Sequence, residues 1–434
     1  MKVQLMKKTK TMNSIQRALQ LARASSSINR RRFLNHTMAI GATASAFGLL
    51  RNEAADDGVA ISRPTEFARK IKLGVVGNGG RGAWIANLFK RHGGYEMWAV
   101  ADYFQGVADA CGDTLGVDKS RRFSTLSGYK RLIESGVEAV ALETPPCFFP
   151  EHARAAVEAG LHVYMAKPVA VDVPGCLEIE AAAKRASEKS RCFLVDYQLP
   201  TDPHNREVMK RVAAGEIGPV AAVNSHYFAG LFPDPAFTAN LESRLRSLIW
   251  CNDVAVGGGY HVNACIHGVD AALWVTGSRP VAAMGLSRRM RPDPHGDSHD
   301  AFSILFEFAD GQMVSHRGKH LNNQSAFDVV CQIQGQSGYA QTAYGGKVFL
   351  KGSEDHYDGQ VDNLYEAGAV RNIATFYESV VAGRFDNPTV RRAVDGALAT
   401  ILGREAALRR TRLTMEQLLK ENTRLQADLR GLKT

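Results

Sequence analysis

The chain has 434 residues, 45% hydrophobic and 22% charged, which is enough for two domains with a sizeable core. Its net charge of +9 is matched by nine cations in the first 36 residues: Lys2, Lys7, Lys8, Lys10, Arg17, Arg23, Arg30, Arg31 and Arg32, with no acid among them. The remainder is close to neutral, which excludes a nucleic-acid partner held by a broad basic surface.

The leader reads first. Asn29-Arg30-Arg31-Arg32-Phe33-Leu34 is a twin-arginine pattern, followed by an Ala/Gly-rich run from Thr37 to Leu50. That run is too short and too weakly apolar for a membrane span, but it suits an export signal. The expectation is a leader and linker over 1–65 and a periplasmic or otherwise exported protein, with no membrane span in the mature chain. A leader that does not function would leave the protein cytoplasmic. Seven scattered cysteines without a C-x-x-C predict free thiols rather than a disulfide framework.

The stretch from Ile71 to Asp102 is the most specific in the chain. Ile71, Leu73, Val75 and Val76 form an apolar strand. Gly77-Asn78-Gly79-Gly80-Arg81-Gly82 then supplies G-x-G-x-x-G, Ala83 to Arg91 reads as a helix, and Met97 to Ala101 as a second strand ending on Asp102. Each part has a physical task. Gly77 permits the tight turn, Gly79 lets the backbone approach a pyrophosphate, and Gly82 allows close helix–strand packing, while the helix N-terminus offers N–H groups to phosphates. Asp102 accepts from both ribose hydroxyls and repels a 2′-phosphate, so NAD is favoured over NADP.

Strands Val137–Glu143, Leu161–Met165 and Cys192–Val195 continue the alternation, with helices over Pro150–Ala159 and Pro174–Lys189 between them. This predicts an α/β fold: a Rossmann doubly wound parallel sheet as an NAD-binding domain over 66–197. The pattern then changes. Val220–Phe228, Val281–Leu286, Phe302–Phe308, Met313–His316, Asp328–Ile333 and Val348–Leu350 are strands in succession, with one helix over about Gly259–Thr276. That predicts an α+β substrate and oligomerisation domain over 198–412, built on a mostly antiparallel open sheet. A sheet face left open by a helix on one side only predicts a homo-oligomer. Thr414-Met415-Glu416-Gln417 is a capping box, and Leu418, Leu425, Leu429 and Leu432 share a helical face, so 413–434 is expected to be a C-terminal helix.

Three further patches carry a resemblance. They are Glu143-Thr144-Pro145-Pro146, Leu161-His162-Val163-Tyr164-Met165-Ala166-Lys167-Pro168, and Gly257-Gly258-Gly259 followed by Asn263, His267, Asp270 and Trp274. With the glycine fingerprint they resemble the Gfo/Idh/MocA oxidoreductases, from about Ile71 to the end of the chain. The resemblance implies an NAD-dependent oxidoreductase acting on a sugar, glycoside or polyol, with the nicotinamide over Thr144, Pro145 and Pro146. It implies that Lys167 reaches the nicotinamide ribose and the reacting hydroxyl, and that His267 is the acid/base, with Asn263 one helical turn before it. The residue types agree with the chemistry: removing a hydroxyl proton during hydride transfer needs a base near working pH, and a nearby ammonium stabilises a developing alkoxide. Three positions depart from the family pattern. Ala166 stands for the Glu before Lys-Pro, Asn263 for an Asp, and Phe149 for the histidine after the T-P-P segment.

Tyr197, Gln198, Tyr260 and His261, with Asp196, are candidate substrate contacts by placement. His295, His299, Asp300, His316 and His320 give H-x-x-x-H twice, but in loop and strand contexts that predict no metal. Two other functions fit the same residues. One is a redox-neutral NAD-dependent glycoside hydrolase or lyase that oxidises, eliminates and reduces back; the other is a non-catalytic nucleotide- or sugar-binding module.

Overall fold

The computed structural model describes residues 67–434, apart from 68, 233, 235–241, 243–244, 246–250, 292–295, 353 and 355. The twin-arginine leader and His295 lie outside the described residues. A six-stranded sheet runs in the order β3-β2-β1-β4-β5-β6, with every neighbour parallel. Its strands are β1 (Ile71–Val76), β2 (Tyr95–Ala101), β3 (Arg122–Phe123), β4 (Ala139–Leu142), β5 (His162–Ala166) and β6 (Phe193–Asp196). The helices between them are α1 (Gly80–His92), α2 (Gln105–Leu115), α3 (Gly128–Glu134), α4 (Phe149–Glu158) and α5 (Val173–Glu188). Asp172 fixes the start of α5 by accepting the Gly175 amide at 2.8 Å. The strands are apolar on both faces because helices cover both, and every loop after a strand opens on the carboxyl edge, where ligands bind in such sheets.

After α6 (Pro203–Ala213) the chain builds a second sheet of nine strands, in the order β14-β13-β12-β11-β7-β10-β9-β8-β15. These are β7 (Val220–Ala229), β8 (Ala282–Arg288), β9 (Ala301–Glu307), β10 (Met313–His320), β11 (Asp328–Gly335), β12 (Tyr339–Ala343), β13 (Gly346–Lys351), β14 (His356–Val361) and β15 (Leu413–Thr414). Pairing is antiparallel except between β7 and β10. Helices α7 (Val254–Gly257), α8 (Gly259–Asn263) and α9 (Ile266–Thr276) precede β8, and α10 (Leu364–Ala382) and α11 (Pro388–Arg409) follow β14. Three helices, α6, α9 and α11, lie along one face of this sheet. The alternation within each strand is the reason: Ala283, Ile304, Phe306 and Val314 point inward and are buried, while Met284, Leu286 (63% exposed) and Met313 (51% exposed) point outward.

Two regions differ from the sequence reading. The single helix expected over Gly259–Thr276 breaks at Ala264 and Cys265. The C-terminal helix expected over 413–434 is α12 (Met415–Glu421) alone; its capping box is present, with Thr414 and Gln417 bonded reciprocally, but Asn422 turns left-handed at φ 43° and ends it. The leucine spacing was helical, but packing decided the path: Leu432 is buried away from Leu418, and Leu429 is 38% exposed. Among the described residues no helix is long and apolar enough to cross a membrane.

Candidate functional site

The turn between β1 and α1 makes the first half of the site. Gly77 has φ 89°, and a Cβ there would stand 2.7 Å from the backbone of Glu143 and Thr144. Gly82 is tighter, since a Cβ would lie 1.8 Å from the Gly77 carbonyl oxygen, so α1 approaches β1 this closely only with glycine. Side chains at Gly79 and Gly80 would meet open space, and no side chain caps α1 among the described residues. The amides of the helix start therefore face that space with the positive end of the helix dipole behind them. Beside it stands Asp102, whose Oδ2 accepts the Asn78 amide at 2.7 Å and whose Oδ1 accepts the Phe104 amide at 3.0 Å. Burial raises its carboxyl above the ordinary range, against those backbone donors. Its remaining lone pairs suit a vicinal diol. A groove passes these residues and is also lined by Tyr103, Leu126, Tyr129, Thr144, Pro145 and His152. A diphosphate at the uncapped helix and a ribose at Asp102 fit this half. Pro146 starts a short 3-10 turn, and His152 places Nδ1 3.4 Å from the Thr144 hydroxyl.

The second half is built from side chains. Lys167 follows β5, and its Nζ donates to the Asn263 carbonyl at 2.8 Å. The helix break explains why that carbonyl is open, because the His267 amide donates to Ala264 instead, at 3.3 Å. Asn263 spends its side-chain amide on the Gly257 carbonyl at 3.0 Å, so it meets Lys167 through backbone rather than side chain. Burial, with the Arg81 guanidinium nearby, lowers the Lys167 ammonium to about 8. His267 is boxed by Tyr344 and Tyr227, with ring centroids 5.2 and 6.0 Å away. Its Nδ1 is buried without a hydrogen-bond partner among the described residues. Burial, followed by Lys167 and Arg81, holds the imidazole well below its usual range. It is a neutral ring at neutral pH and does not store a proton.

Arg81 lies in the fingerprint, but its guanidinium turns into the protein. It bonds Asp196 at 2.5 Å and the Tyr365 hydroxyl at 2.9 Å, and its Nε stands 3.1 Å from Glu143. Glu143 is buried, and its oxygens take no hydrogen bond of good geometry among the described residues. Desolvation therefore outweighs the arginine and pushes its carboxyl up to about 7. Asp196 also accepts from Gln198 at 2.9 Å and Asn372 at 2.7 Å.

Comparison with known proteins bears on this arrangement. Residues 71–197 match the sequence pattern described as the oxidoreductase family with an NAD-binding Rossmann fold, and residues 205–341 match the GFO/IDH/MocA C-terminal domain. The chain belongs to the Gfo/Idh/MocA family. Inositol 2-dehydrogenase 3 of Saccharopolyspora erythraea is 27% identical over 270 residues, 62% of this chain and 72% of that protein. A 2,7-anhydro-N-acetylneuraminate hydratase of Mediterraneibacter gnavus is 23% identical over 292 residues, 67% and 72% of the two chains. Among solved structures, an inositol dehydrogenase homologue complexed with NAD+ from Azotobacter vinelandii shares the fold, with a TM-score of 0.68 and 18% identity over 80% of this chain and 98% of that one.

Against the Gfo/Idh/MocA pattern the three departures take on a shape. Strand register sets Leu142 beside Met165 and Ala166 beside Asp196, so Glu143 and Asp196 flank Ala166 on the neighbouring strands. A carboxylate thus stands on either side of Ala166. Glu143 was overlooked as a site residue, although an acid closing the apolar run Ala139–Leu142 was the signal for it. Phe149 is buried, and His152, one turn later, brings the imidazole to Thr144.

The substrate candidates separate. Tyr260 is buried, with its hydroxyl shared between the carbonyls of Tyr227 and Lys319 at 2.9 and 2.7 Å, and is packing rather than a substrate contact. His261 is equally buried, stacked on Phe302 with neither ring nitrogen bonded among the described residues, and is likewise withdrawn from substrate. Gln198 bonds Asp196 and the Tyr344 hydroxyl, and Tyr197 packs edge-on to His267, so these two belong to the walls around Lys167 and His267. Among the described residues, His299, Asp300, His316 and His320 do not assemble into one cluster. His320 pairs with Asp300 at 3.0 Å and His299 bonds Ser287, while His316 instead lies near His261 and Cys265, their ligand atoms within 4.8 Å of one another.

Proposed function

We propose that the protein is an NAD-dependent oxidoreductase that moves hydride between a hydroxyl of a sugar, glycoside or polyol and a tightly held nicotinamide cofactor. The observation that carries this reading is Lys167: a half-buried amine at the carboxyl end of β5, braced on the Asn263 carbonyl, with its ammonium lowered to about 8. When bound, the nicotinamide supplies the hydride acceptor. The neutral Lys167 amine takes the hydroxyl proton, and the ammonium so formed faces the negative field of Glu143 and Asp196. His267 offers a neutral ring nitrogen to orient the hydroxyl, and the surrounding tyrosines exclude water. Asp102 opposes a 2′-phosphate and favours NAD over NADP. The inositol dehydrogenase likeness supports a cyclitol or sugar as substrate. The outward apolar residues Met284, Leu286 and Met313 support a homo-oligomer formed through the second sheet. The basic leader extends the proposal to an exported enzyme, in which a lost dinucleotide would not be replaced.

Mass spectrometry of nucleotide released on denaturing the purified protein tests the reading. Near-stoichiometric NAD, followed by a keto product from a sugar or cyclitol panel, is the expected outcome. A protein that carries no dinucleotide and binds none when it is added would overturn it. The likeness to a hydratase favours a second reading, redox-neutral chemistry on the same site. An altered glycoside with no net change in bound NADH would select it.

A further inference from the structure

The C-terminal residues 422–434 leave α12 and run back to the first sheet. Arg424 pairs with Glu178 on α5 at 2.5 Å, and the Leu425 amide donates to Asp172 Oδ2 at 2.7 Å. Asp172, whose other oxygen caps α5, sits in the loop that begins with Lys167. At the far end the Lys433 amide donates to the Tyr103 hydroxyl at 3.1 Å, and the Lys433 carbonyl accepts the Leu126 amide at 2.9 Å. Between these anchors Leu432, 8% exposed, is packed among Tyr103, Leu126, Cys147, Leu245 and Val256. Tyr103 is the residue after Asp102, and Tyr103, Leu126 and Leu245 also line the groove beside the glycine turn. The segment therefore ties the loop after β5 to the loop after β2 across the rim of that groove.

We propose that residues 425–433 are a working part of the dinucleotide site: a strap whose Leu432 plug and Lys433 backbone hold the wall around the adenosine half, so that the cofactor leaves only when the strap lifts. The proposal rests on the groove being a dinucleotide site. A tail whose only task was packing would bury its apolar residues, yet Leu429 is 38% exposed and Leu432 is buried specifically against groove-lining side chains. Its attachments suit a part that opens. They are a few single hydrogen bonds to loops and one apolar plug, not a strand in either sheet, so lifting it leaves both cores intact. Closure of this kind acts on the dissociation rate more than on association.

The test is the rate at which bound NADH is released from the full chain into excess NAD, followed by nicotinamide fluorescence, for the wild type, Leu432→Ser and a chain ended after Thr423. Melting temperatures are taken in parallel. The strap predicts release faster by roughly tenfold or more in both variants, with melting lowered by only a few degrees. Release at the wild-type rate in Leu432→Ser, whatever its melting temperature, overturns the proposal, and that variant alone decides if the shortened chain does not fold. A wild type that binds neither nicotinamide dinucleotide overturns the dinucleotide reading itself, a different and recognisable failure.

Discussion

The two halves of the site are built of different material. Around Gly77, Gly82 and Asp102 the work is done by backbone: a left-handed turn, an uncapped helix start, and amides that fix one carboxylate. Around Lys167 and His267 it is done by buried side chains that perturb each other, with Arg81, Glu143 and Asp196 arriving from α1, the end of β4 and β6. Backbone sites fail by geometry, whereas side-chain sites fail by charge. The two halves should therefore respond to substitution in separable ways.

The largest effect is expected at the charged half. Lys167→Met keeps the stem and removes the amine, and should lower turnover by about a thousandfold or more while NAD binding, measured by calorimetry, stays within a few-fold. Equal loss of binding and turnover would erase the distinction between the halves. Gly82→Ala attacks the other half, placing a Cβ 1.8 Å from the Gly77 oxygen. A cost on the order of 3 kcal/mol in stability follows, with dinucleotide affinity lost alongside it, as thermal melting with and without NAD would record. Next comes pH. Because the amine must be neutral to act, oxidation should rise with pH and level off above about 8. The same depressed value has a stability consequence: the unfolded chain holds the lysine proton up to about 10.5 and the folded chain only to about 8, so stability rises with pH between those values. The smallest effect is the finest probe. Glu143 is one of the groups holding the Lys167 ammonium up, so Glu143→Gln should move the inflection of the rate profile to lower pH. An unmoved inflection would separate Glu143 from proton transfer.

The same division explains what could be read from the chain. A backbone site is contiguous, so the glycines, α1 and Asp102 are legible within about thirty residues of sequence. The alternation of strands and helices to Asp196 is legible for the same reason. A side-chain site is assembled across register, and nothing in the letters places Glu143 and Asp196 on either side of Ala166. The break at Ala264 is equally silent, because the group that meets the Asn263 carbonyl it opens is Lys167, 96 residues away in the sequence. Short or polar strands fell below the periodic signal: β3 has two residues, and β14, with His356, Asp358 and Gln360 outward, has almost no apolar face. The tail misled because leucines at helical spacing describe a helix equally well as a strap with one plug.

The two-residue strand β15 has a consequence for how the molecule is made. Leu413 and Thr414 cover the outer edge of β8, bonding Ala282 and Ala283, more than 120 residues after that strand was synthesised. At the centre, β7 waits for β10 and β11 in the same way, close to a hundred residues later. Until those segments emerge, the nascent second sheet carries unpaired edges able to recruit another chain, and distant pairings of this kind form slowly. The last strand to arrive is also the one that seals the β8 edge, so a ribosome that stalls before residue 413 releases a chain prone to aggregate rather than one that is merely shortened.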